Sequence, residues 1–388
     1  MGLISAIGDS VEANRDSLHN ERTGISHIQF YKTAYAGKLP TAEVRHTTEE
    51  LNRKIFQPES PSITRTSLLG LHAAAQAIRD SGLTPEQLSS KDTALVGATT
   101  VGGMCLTDEL YHDANAKEGG TPYLTSYDYA SVTLAIQERY RMAGEVSTIN
   151  TACSSSANAI IYGARLIRHG YAKRAIVGGA ESLAKFTING FNALNILSSR
   201  PCAPFDKNRS GLNLGEGAGF LVLEKEEDLR GRKSYAAFTG FGNKNDAYHP
   251  SSNSPEGTGP YMSMKAALDN SGLKSSDISY INAHGTATEN NDETESRAML
   301  RLFEKVPPFS STKSYTGHTL GAAGAIEAIY SILNLVNQEI YASLSFHDPI
   351  PETGLIPVQH YAKQQIEHVM SNSFGFGGNC STLIFSKT

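Results

Sequence analysis

A cysteine stands where an apolar, strand-like run gives way to a small-residue helix: STINTACSSSANAI, Ser147 to Ile160. A helix start leaves backbone N–H groups unpaired and carries a partial positive charge, which favours a thiolate over a thiol. That makes Cys153 a candidate nucleophile. Three further segments offer it partners. NAHGTATENND puts His284 directly after a buried-type strand, with Thr286 and Thr288 behind it. KSYTGHTLGAAG supplies Lys313 and His318, and NSFGFGGNC places Phe374 and Phe376 on a glycine-rich turn where the backbone can approach a ligand closely. Each alone has an ordinary structural reading, as a satisfied histidine or a plain turn. Together they suit thioester chemistry, in which a thiolate attacks an acyl thioester and nearby donors hold the developing oxyanion. A cysteine with one histidine fits a hydrolase equally well. A second histidine adds a place for another thioester carbonyl, held between two N–H donors, where an adjacent carbanion is stabilised as an enolate without a metal. Cys105, Cys202 and Cys380 read as core or near-surface fillers.

The chain that must position these groups has 388 residues, enough for two ordinary domains or one large α/β unit. With 19% charged and 39% apolar residues it reads as globular, and its net charge of −5 argues against a general binder of nucleic acid or anionic membrane. No apolar run is expected to reach the roughly 20 residues of a bilayer span. The start, MGLISAIGDS, lacks the basic and long apolar stretches of a signal peptide. Four dispersed cysteines without a C-x-x-C point to a reduced, cytoplasmic setting rather than a disulfide or zinc framework. Short β-rich segments alternate with helical ones. TALVGATT, RAIVGGAES and GAGFLVLEK read as buried strands, and TSLLGLHAAAQAIRDSGL as a helix closed by Gly82. The charged EKEEDLRGR reads as a solvated helix at a junction near residue 230, after which the alternation resumes with SYAAFTGFGN, a helix over GPYMSMKAALDNSGL and the strand ISYINAHGT. A helix over ETESRAMLRLFEK, a strand-to-helix segment KSYTGHTLGAAGAIEAIYSILNLV and a closing hairpin HVMSNSFGFGGNCSTLIFS complete the chain. NTACSSSANAI and YTGHTLGAAGAI share a pattern of threonine, small residue, reactive residue and small-residue helix. That hints at an internal duplication, although unrelated strand–helix junctions can match this well.

The ordered motifs TACSSS, PFDKNRSGLNLGEGAG, DAYHPSSNSPEG, NAHGTATENND, KSYTGHTLGAAGAIEA and NSFGFGGN cover nearly the whole chain and resemble the β-ketoacyl-[acyl carrier protein] synthases, the ketosynthases of fatty-acid and polyketide assembly. The resemblance implies the α/β thiolase-like fold, a five-layered αβαβα sandwich built from two duplicated halves. These would be residues 1–230, carrying the nucleophile, and 231–388, carrying the two histidines and the lysine. It implies an acyltransferase that performs a decarboxylative Claisen condensation of an acyl thioester with malonyl carrier protein. Cys153 matches the acyl-accepting nucleophile, and His284 and His318 the pair that binds the malonyl thioester. Lys313 matches the lysine behind them, in a role of shaping field and hydrogen bonds, with Glu327 as its acidic partner. Thr286 and Thr288 match the threonines that contact the phosphopantetheine arm. Phe376 matches the gate, its N–H forming an oxyanion hole with that of Cys153, and Phe374 supports it.

Some positions depart from the family pattern. GLISAIG begins at residue 2, so the usual opening strand is expected to be missing and the edge of the first sheet incomplete. GGTN reads GGNC, placing Asn379 and Cys380 in altered contacts, and the usual proline after HGTxT is Glu289. PCAPFDKNRSGLNLGEG is closer to ketosynthases of dedicated pathways, such as aryl polyenes, than to housekeeping elongation enzymes. The competing reading is a non-catalytic partner of the chain-length-factor type, which generally lacks the cysteine; a thiolase fits less well, given Lys313 beside GHTLGAAG. The resemblance further implies no cofactor or metal, an acidic acyl carrier protein as partner, and a homodimer or a heterodimer with a related chain. Arg53, Lys54, Arg65 and Arg200 are the candidate basic contacts for that carrier.

Overall fold

The computed structural model describes residues 1–56, 63–107, 111–112, 116, 124–229 and 231–388. Two five-stranded sheets carry the architecture. The first contains β1 (Gly2–Ser5), β2 (Thr93–Ala98), β3 (Val146–Ile149), β4 (Arg174–Glu181) and β5 (Gly217–Glu224); the second contains β6 (Ala237–Asn245), β7 (Tyr280–Asn282), β8 (Phe309–Ser310), β9 (His368–Phe374) and β10 (Asn379–Ser386). The spatial order is β1-β5-β4-β2-β3 in one and β8-β7-β9-β10-β6 in the other. Renumbered within each half, both read 3-2-4-5-1. The senses agree as well: strand five runs antiparallel to strands four and one, and the remaining pairs are parallel. Two unrelated units would not share order and direction throughout, so the hinted duplication is real at the level of topology.

The main helices are α1 (Arg65–Ser81), α2 (Ser131–Tyr140), α3 (Ser155–Arg168), α4 (Lys185–Ala193), α5 (Thr258–Ser271), α6 (Glu289–Leu302) and α7 (Ala323–Asn337). The first of them starts where the Thr64 hydroxyl accepts from Ser67 N–H and stops at left-handed Gly82 (φ 66°), as TSLLGLHAAAQAIRDSGL leads one to expect. It packs with α2 on the outside of the first sheet, while α5 and α6 pair outside the second. Between the sheets lie α3 and α7, each following the third strand of its half. Their small residues let them approach closely: a Cβ on Gly324 would meet Ala157 N at 2.7 Å and Ala157 Cβ at 2.9 Å. The result is the expected five layers. Apolar strands such as β2, buried at every position, are covered on both faces for that reason.

Four expectations change. Residues Gly2–Ser5 are themselves the opening strand, paired antiparallel to β5 from Gly2 opposite Phe220 to Ser5 opposite Gly217, so the first sheet is complete. The run EKEEDLRGR forms only a 3₁₀ turn over Glu226–Asp228, because it has no apolar stripe to bury. Arg230, at the expected boundary between halves, lies outside the described residues. In KSYTGHTLGAAG the strand ends before the motif, and Lys313–Thr316 is one buried helical turn closed by Gly317 at φ 61°. Leu320–Asn337, at 18 residues and mean hydropathy 1.3, is long and apolar enough to cross a membrane by composition, yet 89% of it is buried inside the fold. Its apolarity reflects a position between two sheets, where a helix is covered all round.

Candidate active site

Cys153 sits between β3 and α3, on a turn in which Ala152 adopts φ 53° and the Ser155 hydroxyl bridges Ala152 O and Thr151 N–H. A left-handed alanine costs about 1–2 kcal/mol, and the turn is held against it by those hydrogen bonds. His318 occupies the equivalent place in the second half, before α7, and is likewise preceded by a positive-φ residue, Gly317 at 61°. Burial, with only 6% of Cys153 exposed, pushes its thiol up to about 11. The Lys313 charge and the N–H groups of Phe376 and Cys153 pull it down, while Glu181 pushes it up. The helix-start expectation of a resting thiolate is therefore corrected, because loss of solvation outweighs the local dipole. Cys153 still lies below two of the other cysteines: burial drives Cys202 to about 12 and Cys380 further still.

The two imidazoles face each other edge-on, with ring centroids 5.3 Å apart at 83°. Both are fully buried, and burial together with the Lys313 charge holds them well below the usual histidine range, so they are neutral at pH 7. Lys313 Nζ lies 3.2 Å from His284 Nδ1, donates to the His284 carbonyl at 2.6 Å and is ion-paired with Glu327 on α7. An ammonium only donates, so His284 Nδ1 accepts and the ring proton sits on Nε2, where it is a donor. Burial raises Glu327 to about 7 despite the lysine. His318 differs. Its backbone N–H donates to Asn213 O at 2.7 Å and its carbonyl accepts from Gly215, but neither ring nitrogen has a partner among the described residues.

Cys153, His284 and His318 line one cavity of about 440 Å³ with Phe374, Phe376, Thr286 and Thr288, and Lys313 and Glu327 stand behind its wall. The threonine hydroxyls are 2.9 Å apart, and Thr288 stands nearer solvent beside exposed Glu289. Phe374 packs edge-on to His284 at 5.7 Å. The turn Gly375–Gly378 passes over Cys153 so closely that a Cβ on Gly375 would lie 3.1 Å from Cys153 N and 2.9 Å from Thr151 O. Phe376 stacks nearly parallel on Phe191 of α4, with centroids 5.8 Å apart. Asn379 takes up the family's altered position by accepting from Ser154 Oγ at 2.7 Å and Asn158 Nδ2 at 3.0 Å, tying the turn to α3.

Residues 1–229 match the model of the β-ketoacyl synthase N-terminal domain, and residues 235–347 that of its C-terminal domain. The chain belongs to the β-ketoacyl synthase family. A 3-oxoacyl-[acyl-carrier-protein] synthase 2 of Vibrio harveyi is 34% identical over 415 aligned positions, spanning 100% of this chain and 97% of the relative. Among solved structures, the ishigamide ketosynthase/chain length factor superposes with a TM-score of 0.92 at 30% identity, over 100% of this chain and 97% of that one. A type II polyketide acyl-carrier protein in complex with its ketosynthase, bound to the hexaketide, gives a TM-score of 0.89 at 25% identity over 100% and 98%. This ketosynthase is accordingly a condensing enzyme of the acyltransferase class with the thiolase-like fold.

Several residues that shape the ketosynthase site were not apparent in its motifs. Glu295 of α6 accepts from the backbone N–H groups of His284 and Gly285, both at 2.9 Å, and from Asn372. Asp292, one turn earlier, accepts from Phe205 and Ala287 N–H. Their i, i+3 spacing puts both carboxylates on one helix face, which is the signal the sequence carried for them. Burial pushes Glu295 up to about 7, against the donors that hold it. Glu181, a carboxylate closing an otherwise apolar strand, was also missed. Among the basic candidates, Arg65 is corrected: it clamps buried Glu216 through Nε and Nη2 and is not a surface contact. Lys54, on the short helix Thr48–Ile55, pairs with Asp9 and lines a separate cleft, Arg53 beside it is exposed, and Arg200 is exposed just beyond Ile196 of the cavity wall.

Proposed function

We propose that this ketosynthase takes an acyl chain from an acyl carrier protein onto Cys153 and condenses it with a malonyl unit. In the first half-reaction the Cys153 sulfur bonds to the thioester carbonyl carbon, the carbon–sulfur bond to the pantetheine arm breaks, and the thiol proton passes to the departing sulfur. Backbone N–H groups of Cys153 and Phe376 hold the oxyanion. In the second, the malonyl thioester oxygen lies between the His284 and His318 donors, the carboxylate leaves as carbon dioxide, and its bonding electrons form the enolate. The enolate carbon then bonds to the acyl carbon and expels Cys153 as thiolate. A thiol pushed up to about 11 regains its proton readily, which resets the enzyme.

The observation that carries this reading is the cavity shared by Cys153, His284 and His318: Lys313 behind it fixes the His284 tautomer, while the His318 ring nitrogens find no partner among the described residues and are left for a substrate oxygen. Two neutral donors aimed at one carbonyl meet the charge as it forms, so the reaction calls for no cofactor or metal. Thr286 and Thr288, toward the mouth, suit the amides of a phosphopantetheine arm. The solved ketosynthases with a carrier protein and with a chain length factor support an acyl carrier protein as partner and pairing with a second ketosynthase-like chain, itself or a relative. The dispersed cysteines without a C-x-x-C support a cytoplasmic setting. Residues 1–230 and 231–388 are proposed as the two structural halves. A purely non-catalytic partner role is disfavoured by the presence of Cys153 with both histidines. Mass spectrometry of the protein after incubation with a panel of acyl carrier protein thioesters tests the reading: an acyl adduct on Cys153 is expected, and its absence across the panel overturns it.

A further inference from the structure

The half-reactions above use Cys153 and the two histidines but leave one buried carboxylate beside them without a role. Glu181 ends β4 with no exposure to solvent. Its Oε1 accepts from Thr99 Oγ1 at 3.0 Å and Val101 N at 3.1 Å; its Oε2 accepts from Thr100 N at 2.8 Å, Thr100 Oγ1 at 2.6 Å and Gly321 N at 2.9 Å. Backbone N–H groups face both oxygens, Val101 on one and Thr100 and Gly321 on the other, so an amide in this place would turn an N–H toward another N–H. The donors come from both halves of the molecule. Thr99–Val101 follow β2, whereas Gly321 lies in the 3₁₀ turn Leu320–Ala322 that leads from His318 into α7. There is no slack at that contact, since a Cβ on Gly321 would meet Glu181 Oε2 at 2.8 Å and Thr100 N at 2.9 Å.

His284 has a side-chain hydrogen bond to Lys313 that sets its ring. His318 has no ring hydrogen bond among the described residues, so beyond its edge-on contact with His284 its ring is aimed by its backbone, tied before the turn to Asn213 and Gly215 and after it to Glu181 through Gly321. We propose that Glu181 is a positioning residue for His318, fixing from the opposite half of the fold the turn that aims this imidazole at the malonyl thioester oxygen. This inference rests on the donor role of His318 given above. The readout that a merely structural role would not move is a selective loss of carbon dioxide release with acyl loading retained; because the same carboxylate raises the Cys153 thiol, thiol reactivity reports separately whether a variant keeps the charge.

The experiment measures three quantities on the full-length protein: acyl-enzyme mass, carbon dioxide release from malonyl carrier protein, and the pH profile of Cys153 alkylation by iodoacetamide. Glu181→Gln is expected to keep acyl loading, lose about 10²-fold in carbon dioxide release through misplacement of the donor, and shift the alkylation profile to lower pH. Glu181→Asp keeps the charge but draws it back, so it should alkylate close to the wild-type profile while still releasing carbon dioxide slowly. Gly321→Ala attacks the same contact from the other side and should show the selective decarboxylation defect. His318→Ala, run alongside, separates the two readings. If it decarboxylates normally, the donor role itself fails; if it does not, yet Glu181→Gln and Gly321→Ala decarboxylate at the wild-type rate, only the present inference fails. Variants that lose both half-reactions in parallel, folded or not, assign Glu181 to the fold alone and also overturn it.

Discussion

At Cys153 the competition between solvation and local field decides the chemistry. The helix start and the Lys313 charge favour the thiolate, but a sulfur with 6% exposure loses more by leaving water than these supply. Reactivity then depends on what the site does to the bound thioester rather than on a pre-formed anion. The two half-reactions should therefore come apart by mutation. His318→Ala should still accept an acyl group yet release carbon dioxide about 10²–10³-fold more slowly, the usual cost of losing one oxyanion donor. Cys153→Ala should form no acyl-enzyme while retaining decarboxylation. Lys313→Ala should fall with the histidine variants, because it removes the charge that sets the His284 tautomer. Acyl-enzyme mass and carbon dioxide release, measured separately for each variant, check all three. Peptide mapping after acylation should find the label on Cys153 and none on Cys105, Cys202 or Cys380.

The elements that matter most are the glycine turn after β9 and the central helix pair. Gly377 and Gly378 take φ 79° and 78°, which lets the turn double back while Phe376 rests on Phe191. Phe376→Ala should loosen control of substrate order, altering acyl loading or chain preference without loss of the fold. Phe191→Ala should shift the same kinetics in the same direction, since it removes the ring against which Phe376 is stacked. Equal loading rates across several chain lengths in both variants would argue against a gate. In the helix pair, Gly324→Ala places a methyl group within 3 Å of Ala157 backbone and side chain. Overpacking of that kind costs about 1–3 kcal/mol, and the denaturant midpoint should fall accordingly.

Across the whole molecule, the two halves are also clasped by a buried carboxylate. Arg15 donates to Glu339 from Nε and Nη2, at 2.8 and 2.9 Å, and the Tyr341 and Tyr361 hydroxyls donate to the same carboxylate. Burial alone would raise Glu339, but these partners prevail and hold it down at about 2, against an ordinary 4.5. Its contribution to stability is therefore complete above pH 4.5 and is lost as pH falls toward 2. Glu339→Gln should lower the melting temperature at neutral pH, and the gap to wild type should close through that acid range. Glu295 and Glu327, raised to about 7, work in the opposite sense: their burial costs stability as pH climbs from 4.5 through 7. A melting curve recorded against pH for Glu295→Gln should therefore lie closest to wild type on the alkaline side.

The amino-acid sequence by itself determined the reactive set. Cys153 and His284 follow apolar runs that read as buried strands, so their positions at element ends were legible from local pattern, whereas Lys313 and His318 stand on and just after a helical turn where a strand was expected. The repeat of NTACSSS in YTGHTLG was legible for the same reason, since both must turn a strand into a small-residue helix. The opening strand was misread because four residues carry too little periodicity to distinguish a strand from the turn it enters; pairing with β5 defines it. Only the tertiary structure decided the states of the groups. Neutral histidines, a protonated thiol and raised glutamates follow from burial by elements hundreds of residues away, and desolvation has no signature in local sequence. The roles of Glu181 and Glu295 were hidden for a related reason: a carboxylate that accepts backbone N–H groups looks, in sequence, like any charged residue. Which donors it meets depends on how two sheets and their shared helices pack.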